Sequence, residues 1–443
     1  MDNRLSQNFN AYSLIKFTFP TTVMMIFMSL YQMVDGVFVA NFVGETALSA
    51  LNIVYPVPSV IIAVSIMLAT GGSAIIAKDM GEMESRRAKE NFSLLILVGF
   101  ILGMIALLAG LLFLEPIIYM LGATESLYQY CYDYLLVLVL SAPLAVFQML
   151  FQSFFVTAGK PHIGLTLTII GGCINIVFDY IFIKICNLGV TGAAVATAMG
   201  YAVPAIAGLL YFSLNRKGTL YFVKPVFRKR VLLSACTNGS SEMVNNIAVS
   251  ITTFLFNILM LKYAGEAGVA AITVVLYAQF LMTSVFMGFS GGVAPVISYN
   301  YGRQNRAQLQ YVFKISIGLV AIVSVLVFVL SELFSTLVIR VFASPESDVF
   351  KLAKHGFTLF SFSFLFTGVN IFSSSMFTAF SDGKVSAIIS LLRTFVFLVA
   401  CLLLLPLMLG LDGVWLAVPV AEGLALVVSL YYFAACRKTY HYL

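Results

Sequence analysis

Long runs of apolar residues alternate with short polar segments along the whole chain. A helix that crosses a bilayer needs about 20 consecutive, mainly apolar residues. Segments of this kind are separated by Gly, Pro and small polar clusters, which favour turns. The predicted spans are 14–39, 51–77, 93–114, 131–156, 163–185, 190–213, 234–261, 268–298, 315–339, 355–380, 385–409 and 413–435. The pattern therefore predicts an all-α integral membrane protein with 12 transmembrane helices.

Basic residues are distributed unevenly between the two sides of this predicted bundle. Nineteen Lys and Arg residues fall on the side of the chain termini, five on the opposite side and one, Arg393, within a span. Loops rich in Lys and Arg stay in the cytoplasm. We therefore expect a multi-pass protein with both termini cytoplasmic, and we expect the first span to be retained because no cleavage signal follows it.

Composition excludes several other classes of protein. The hydrophobic share of 61% and the charged share of 10% depart from the soluble averages of about 45–50% and 25%. The six cysteines are scattered without a C-x-x-C pair, so we expect neither disulfides nor a metal site. No nucleic-acid-binding motif and no H-E-x-x-H or G-x-S-x-G pattern lies in a span. We therefore expect no nucleic-acid partner, no enzyme activity and no cofactor.

The two halves of the chain repeat each other. Equivalent residues lie 221 positions apart: Gly44-Glu45 and Gly265-Glu266, Glu125-Ser126 and Glu346-Ser347, Thr157-Ala158 and Thr378-Ala379, Gly189 and Gly410. Six spans per half give both halves the same direction, which predicts two six-helix bundles related by a pseudo-twofold axis normal to the membrane. We predict an N-lobe (1–215, helices 1–6), a cytoplasmic inter-lobe loop (216–230) and a C-lobe (231–443, helices 7–12).

One full charge, Asp35, lies within the first span. A carboxylate there costs about 2.5–3.5 kcal/mol on insertion scales, so such a residue usually has a function. Tyr31 lies four residues earlier on the same helical face, is placed to hydrogen-bond it, and is a candidate contact for a substrate or cation. The functional hypothesis is that Asp35 exchanges a proton; the alternative is a structural hydrogen bond to a neighbouring helix.

The fifth span carries a second pair of polar residues, Asn175 and Asp179, on one helical face. Asp179 is expected at a depth like that of Asp35, and two nearby carboxylates resist joint ionisation. Thr197 in the next span either caps this network or bonds locally to its own helix. The second half has Phe256 in place of Asp35 and the apolar segment Ala400–Leu403 in place of Asp179. This asymmetry assigns the coupling ion to the first lobe.

Three further charges fall within the second half. Glu242 in the seventh span either contacts a cationic substrate or a cation, or caps the start of its helix. Arg393 and Glu422 lie in the last two spans, and we expect them to pair. Met and aromatic residues are abundant and suit a cavity for varied apolar cations, although the sequence does not indicate which of them line it.

At these residues the chain resembles the multidrug and toxic compound extrusion family of secondary transporters. The resemblance covers nearly the whole chain and is carried by Pro20 and Asp35 with the following GVFVANFVGETALSALNIVYP, by NIVFDYIFI with Asn175 and Asp179, and by LGVTGAAVATA with Thr197. It implies that the positions of Asp35, Asn175, Asp179 and Thr197 form a network for proton exchange, with Na⁺ as the alternative ion. It also implies a bend of the first helix at Pro20.

The resemblance implies export of cationic or amphipathic drugs by antiport, with the two lobes opening alternately to the two sides of a prokaryotic inner membrane. Two features depart from the family. The tenth span, VNIFSSSMFTAF, has no acidic residue, and the seventh begins with SSE where many members have proline. We expect a monomer whose partners are the bilayer and a small organic substrate. A flippase for a lipid-linked precursor is the alternative, and it would favour a cationic cavity, whereas the buried charges identified here are mainly acidic.

Overall fold

The computed structural model describes residues 4–43, 45–340, 342 and 344–443, without the side chains of residues 32, 35–41, 45, 46, 48 and 49. These ranges form helices joined by short turns. The helices are α1 (Ala11–Phe42), α2 (Glu45–Val54), α3 (Pro56–Gly81), α4 (Ser85–Leu112), α5 (Leu114–Met120), α6 (Glu125–Leu140), α7 (Ala142–Thr157), α8 (Pro161–Asp179), α9 (Gly189–Leu214), α10 (Lys229–Gly302), α11 (Arg306–Arg340), α12 (Asp348–Ser361), α13 (Phe364–Ala379), α14 (Gly383–Leu391), α15 (Leu398–Leu409) and α16 (Leu411–Tyr440).

The helices account for the twelve predicted spans. In the described ranges, nine helical segments are long and apolar enough to cross a membrane alone, and the bent pairs α6–α7 and α12–α13 bring the number to eleven. At 74 residues, α10 is more than twice the length of one span, and its backbone leaves the helical region at Gly265. Counting its two arms (229–264 and 266–302) separately gives twelve. The predicted all-α fold is confirmed, while the exact lobe boundaries stay a prediction.

The repeat is visible in the backbone itself. The two bent pairs turn by 53° and 54°, at Ser141 and Phe362, which lie 221 residues apart. Two pairs of left-handed residues follow the same offset: Met83 (φ 64°) with Gln304 (φ 58°), and Gly189 (φ 55°) with Gly410 (φ 59°). Since left-handed backbone is unusual outside glycine, its recurrence at matching positions confirms that both halves are built on one plan.

The two halves meet where four glycines let helices touch at their backbones. A Cβ atom on Gly239 of α10 would lie 1.9 Å from the carbonyl oxygen of Met67 on α3, and one on Gly71 would lie 2.0 Å from that of Ala235. Farther along, Gly81 of α3 faces Tyr299 and Gly302 of α10 faces Lys78, at 2.0 and 2.2 Å. Small residues permit such close packing of helices within membranes. We call this set of contacts the seal.

The seal follows the symmetry of the repeat. Gly81 and Gly302 are repeat equivalents, as are Lys78 and Tyr299. The contact of Gly81 with Tyr299 and the contact of Gly302 with Lys78 are therefore symmetric copies of each other. The equivalent of the Gly71–Gly239 contact is formed by Gly292 of α10 against Thr18 and Thr21 of α1. These contacts lie in the half of the bundle nearest the chain termini, where Arg303 bonds the carbonyl of Ser6 at 3.4 Å.

A single added methyl group should weaken the seal. In Gly302→Ala the new Cβ must displace the backbone of Lys78, and forced overpacking costs about 1–3 kcal/mol. We expect the lobes to separate more often at this end. The measurement is the rate at which a maleimide labels half-buried Cys236, beside the Gly71 contact, in a variant that retains only this cysteine.

The matched control is Gly291→Ala in the same arm of α10, because a Cβ there meets no atom within 4 Å. Both changes bring the same gain in helix propensity, so only the loss of the seal distinguishes them. Equal labelling rates in the two variants would contradict the role given to Gly302.

Candidate functional site

The polar residues predicted in the fifth span are buried inside the first half of the protein. Asp179 is 0% exposed and Asn175 is 3% exposed, both on α8. The side-chain oxygen of Asn175 has no hydrogen-bond partner in the part of the chain that the structure describes. Buried polar atoms in native proteins are usually paired, so this oxygen is a candidate ligand for a cation or a protonated group.

Tyr31 of α1 packs against the same helix. A Cβ atom on Gly172 of α8 would lie 3.2 Å from the ring of Tyr31 and 2.5 Å from that of Phe27. One on Gly164, nearer the start of α8, would lie 3.7 Å from the sulfur of Met24. Residue numbers at these contacts rise together in the two helices, so α1 and α8 run in the same direction.

The side chain of Asp35 lies outside the described residues, although its backbone belongs to α1. The position of residue 35 along the axis of α1, relative to α8, follows from the helix register. Asp35 lies four residues, or about 6 Å, beyond Tyr31, which lies beside Gly172. The same advance along α8 reaches residue 176, between Asn175 and Asp179. The backbone of residue 35 therefore lies level with the 175–179 segment, and the equal depth of the two carboxylates stays a prediction.

The neighbouring helix α9 forms another wall of this region. Gly200 lies against Asn175, since a Cβ atom on it would be 3.2 Å from that of Asn175. Thr197, one turn earlier, is half-buried, and its hydroxyl donates to the carbonyl of Ala193 at 3.0 Å. This is the local bond that the sequence left open as an alternative. A role for Thr197 in ion exchange stays a prediction.

A second buried polar network lies in the other half. Arg393 Nε donates to Glu422 Oε1 at 2.8 Å, as expected from the sequence. The amide of Asn370 on α13 donates to Glu422 Oε2 at 2.7 Å, and the Ser429 hydroxyl donates to Asn370 Oδ1 at 2.9 Å. The Arg393 and Glu422 side chains are only 11% and 7% exposed. Asn370 and Ser429 were missed by the sequence analysis, although an amide within an apolar span is itself a signal.

Charged groups in both halves lie at breaks in regular α-helix. A π-helical turn, Tyr180–Ile185, begins directly after Asp179, and a second one, Leu392–Phe397, contains Arg393. Such turns widen the helix and are frequent at functional sites. Each π-helical turn changes the direction in which neighbouring side chains project. Asp179 in the first half and Arg393 in the second therefore both lie at a local change in helix geometry.

Glu242 lies next to the seal. It is in the first arm of α10, three residues beyond Gly239, and its carboxylate is hydrogen-bonded by the Asn245 side chain and attracted by Arg393. Arg393 pairs directly with Glu422 and acts on Glu242 over a longer distance, since no ion pair within 4.0 Å joins Arg393 and Glu242 in the described residues. The three groups together carry a net charge of −1 when ionised, which leaves one carboxylate charge available to a cation.

Pro20 lies within the part of α1 that contributes to the seal. It is inside α1, where it has no N–H to donate to the preceding turn. Thr18 and Thr21, on either side, face Gly292 across the seal. The helix is continuous through Pro20, and the bend predicted there stays a prediction.

Comparisons with known proteins agree with this architecture. The MatE family model matches residues 20–181 and 243–403. The multidrug export protein MepA of Staphylococcus saprophyticus is 24% identical over 430 residues, covering 95% of this chain and 94% of the relative. MepA of Staphylococcus haemolyticus is 23% identical, covering 96% of this chain and 94% of the relative.

Solved structures show the same fold. The outward-facing conformation of a multidrug resistance MATE family transporter has a TM-score of 0.92 at 23% identity, with 98% of each chain covered. A MOP superfamily transporter from Pyrococcus furiosus has a TM-score of 0.90 at 22% identity, covering 97% of this chain and 96% of that one. At this level of identity the likeness concerns the fold alone.

The buried ion pair should dominate local stability. Glu422→Gln leaves the Arg393 guanidinium without its counter-charge, and breaking a buried pair in this way costs about 3–5 kcal/mol. We expect a clearly lower midpoint of thermal unfolding in detergent. Replacing both charges, as in Arg393→Met with Glu422→Gln, should restore much of the loss because neither partner of the pair is then left charged.

The control is an exposed hydrogen-bonded pair nearby. His355 Nε2 lies 2.7 Å from Asp412 Oδ1, with side chains 57% and 52% exposed, and such pairs contribute at most about 1 kcal/mol. Asp412→Asn should therefore leave the midpoint almost unchanged. A Glu422→Gln protein that unfolds at the same temperature as Asp412→Asn would refute the structural importance of the buried pair.

Proposed function

Because this chain belongs to the MatE family of membrane transporters, we propose that it exports organic cations or amphipathic compounds in exchange for H⁺, with Na⁺ as the alternative ion. Its relatives are named multidrug export proteins. The observation that carries the proposal is the complete burial of Asp179 beside the unpartnered oxygen of Asn175. A carboxylate inside a membrane span is costly to retain without a function.

The ion site is proposed to comprise Asp35, Asn175, Asp179 and Thr197. The shared depth of residue 35 and the 175–179 segment supports this grouping, as does the packing of Tyr31 on Gly172. Two carboxylates at one depth would share a proton or bind a cation more readily than either alone. The site needs no metal or organic cofactor, since the ion that it binds is the transported partner.

Helix α1 is proposed to connect ion binding to the movement of the lobes. Tyr31 lies beside the ion site, while Thr18 and Thr21 lie in the seal, about 15 Å away along the helix. Pro20 removes one backbone hydrogen bond from the helix at the seal end of this stretch. If the ion binds one shape of α1 more tightly, the same binding favours one arrangement of the seal, which is the only way an ion can drive the cycle.

The substrate is proposed to enter a cleft between the lobes, on the side of the seal away from the termini. There the start of α3 is uncovered, with Tyr55 62% and Val60 54% exposed. Glu242, next to the seal, would lie at the floor of this cleft and attract a cation. The excess of basic residues near the termini supports a cytoplasmic location for that end, so the cleft would open outward.

We propose that the protein acts as a monomer in the inner membrane of a prokaryote. Export of a lipid-linked precursor is a weaker alternative. A flippase for an anionic lipid would favour a basic cavity, whereas the charged side chains at the two polar networks described above, Asp179, Glu242, Glu422 and Arg393, carry an acidic excess. This balance favours a cationic substrate.

Neutralising Asp179 should uncouple transport. In vesicles with separately imposed pH and Na⁺ gradients, wild-type protein should export a fluorescent organic cation in response to one of the gradients, which identifies the ion. Asp179→Asn keeps the size of the side chain but loses its charge, so export should fall to the rate of passive leak.

Asp133→Asn is the matched control, because Asp133 bonds Gln129 in an exposed position of the same lobe. It should export at the wild-type rate. Export by wild-type protein that ignores both gradients would end the antiport proposal. Full gradient-driven export by Asp179→Asn would show that the ion site has been misplaced.

Glu242 should affect substrate affinity and leave ion coupling intact. We expect Glu242→Gln to raise KM for a cationic substrate about tenfold, which corresponds to about 1.4 kcal/mol of lost attraction. A neutral amphipathic substrate should be transported as before. Glu266→Gln, an exposed carboxylate of the same helix, is the control, and an unchanged KM for the cation in Glu242→Gln would exclude this contact.

A further inference from the structure

A cavity of about 510 Å³ lies between the start of α4 and the inter-lobe segment 215–228. It is at the end of the protein that carries the termini, away from the ion site and the cleft. Its charged lining residues are Arg86, Lys89, Glu90 and Lys224, and Tyr221 forms part of the wall. The volume falls within the range of about 300–1,000 Å³ that is typical of small-molecule sites.

Lys89 is the central feature of this cavity. The residue is only 8% exposed. Its ammonium donates to the Tyr221 hydroxyl at 3.2 Å and lies 4.2 Å from the centre of that ring. Across the residues that the structure covers, no carboxylate oxygen lies within 4.0 Å of it. An ammonium has three N–H donors, so this buried cation has capacity for a ligand that enters the cavity.

The one acidic residue of the cavity is already neutralised. Glu90 Oε2 accepts from Arg228 at 2.6 Å, and its Oε1 accepts from Arg86 at 3.0 Å. The two lysines therefore have no counter-charge from Glu90. Taken together, Arg86, Lys89, Lys224, Arg228 and Glu90 carry a net charge of +3, which favours an anion.

The internal repeat shows that the fold does not require these charges. At the equivalent place in the second half, 221 residues on, Gln310 replaces Lys89, Tyr311 replaces Glu90 and Ala307 replaces Arg86. Tyr442 is the equivalent of Tyr221, and it is fully buried, with its ring 4.9 Å from Phe313. The first half has a similar aromatic contact, since Phe222 stacks on Phe92, the equivalent of Phe313, at 5.3 Å, so it is the basic side chains that are an addition to the common plan.

We propose that this cavity binds a phosphate-bearing anion. Ser85 begins α4, so free backbone N–H groups and the helix dipole lie beside the cavity and favour a phosphate. Lysine and arginine supply charge-assisted hydrogen bonds to phosphate oxygens. The position at the termini end, among basic residues at the edge of the spans, fits an anionic lipid headgroup, and inorganic phosphate offers the same chemistry from solution.

The test measures retained lipid on the purified, delipidated full-length protein by native mass spectrometry. The probes are phosphatidylglycerol, zwitterionic phosphatidylcholine and inorganic phosphate, each added alone. Lys89→Met should reduce phosphatidylglycerol occupancy about fivefold, the effect of one lysine near an anionic lipid. Lys224→Met should also reduce phosphatidylglycerol occupancy, and because Lys224 is exposed this change does not disturb packing. Lys89→Arg keeps the positive charge and should retain binding.

Lys314→Met is the matched control, since Lys314 is exposed on α11 at the same end of the other half. It should bind as wild type does. Binding of phosphatidylglycerol alone identifies a lipid headgroup, and binding of inorganic phosphate identifies a soluble source; both support the site. The proposal is overturned if Lys89→Met and Lys224→Met both retain wild-type occupancy, or if phosphatidylcholine binds equally well.

Discussion

A charge inside the membrane must be compensated by the protein, because the lipid interior has no water to solvate it. This constraint accounts for the arrangement of polar residues in both halves. Arg393 meets Glu422, whose other oxygen accepts from Asn370, and that amide is itself held by Ser429. These hydrogen bonds form only if the helices that carry the side chains hold fixed positions relative to one another. A few polar contacts therefore define the packing of α13, α16 and the π-helical turn between α14 and α15.

The scaffold follows the internal repeat, but the charges do not. The bends at Ser141 and Phe362 and the left-handed residues Gly189 and Gly410 recur at one offset. Arg393, by contrast, corresponds to Gly172, and Glu422 corresponds to Tyr201. Symmetric contacts suit a hinge between two equal bodies, whereas directional transport needs the bodies to respond differently to an ion. Residues that depart from the symmetry, such as Arg393 and Glu422, are therefore the better candidates for a functional role.

The twelve spans can be predicted from the sequence because each corresponds to a long apolar run. The repeat can be predicted because glycines recur at a constant spacing in the two halves. The sequence also predicts the Arg393–Glu422 pair, since two opposite charges in adjacent spans have few other partners. It does not predict Asn370 or Ser429, whose roles depend on how α13 rotates against α16. The contact of Gly81 with Tyr299 likewise depends on the angle between helices, which follows from the packing of all side chains at the interface.

In the proposed cycle, the composition of the seal sets the free energy that ion binding must supply to separate the lobes. Gly71 and Gly239 touch through backbone and small side chains, so separating them there exposes no paired charge. Their separation loses mainly dispersion contacts, each of about 0.1–0.2 kcal/mol. Shifting a two-state equilibrium from 1:99 to 99:1 requires about 5.5 kcal/mol of differential binding. Had the lobes been joined by ion pairs like Arg393–Glu422, separating them would also have required each pair to be broken and both charges to be solvated again. A glycine seal is therefore compatible with the proposed cycle, in which the binding of one ion drives the separation of the lobes.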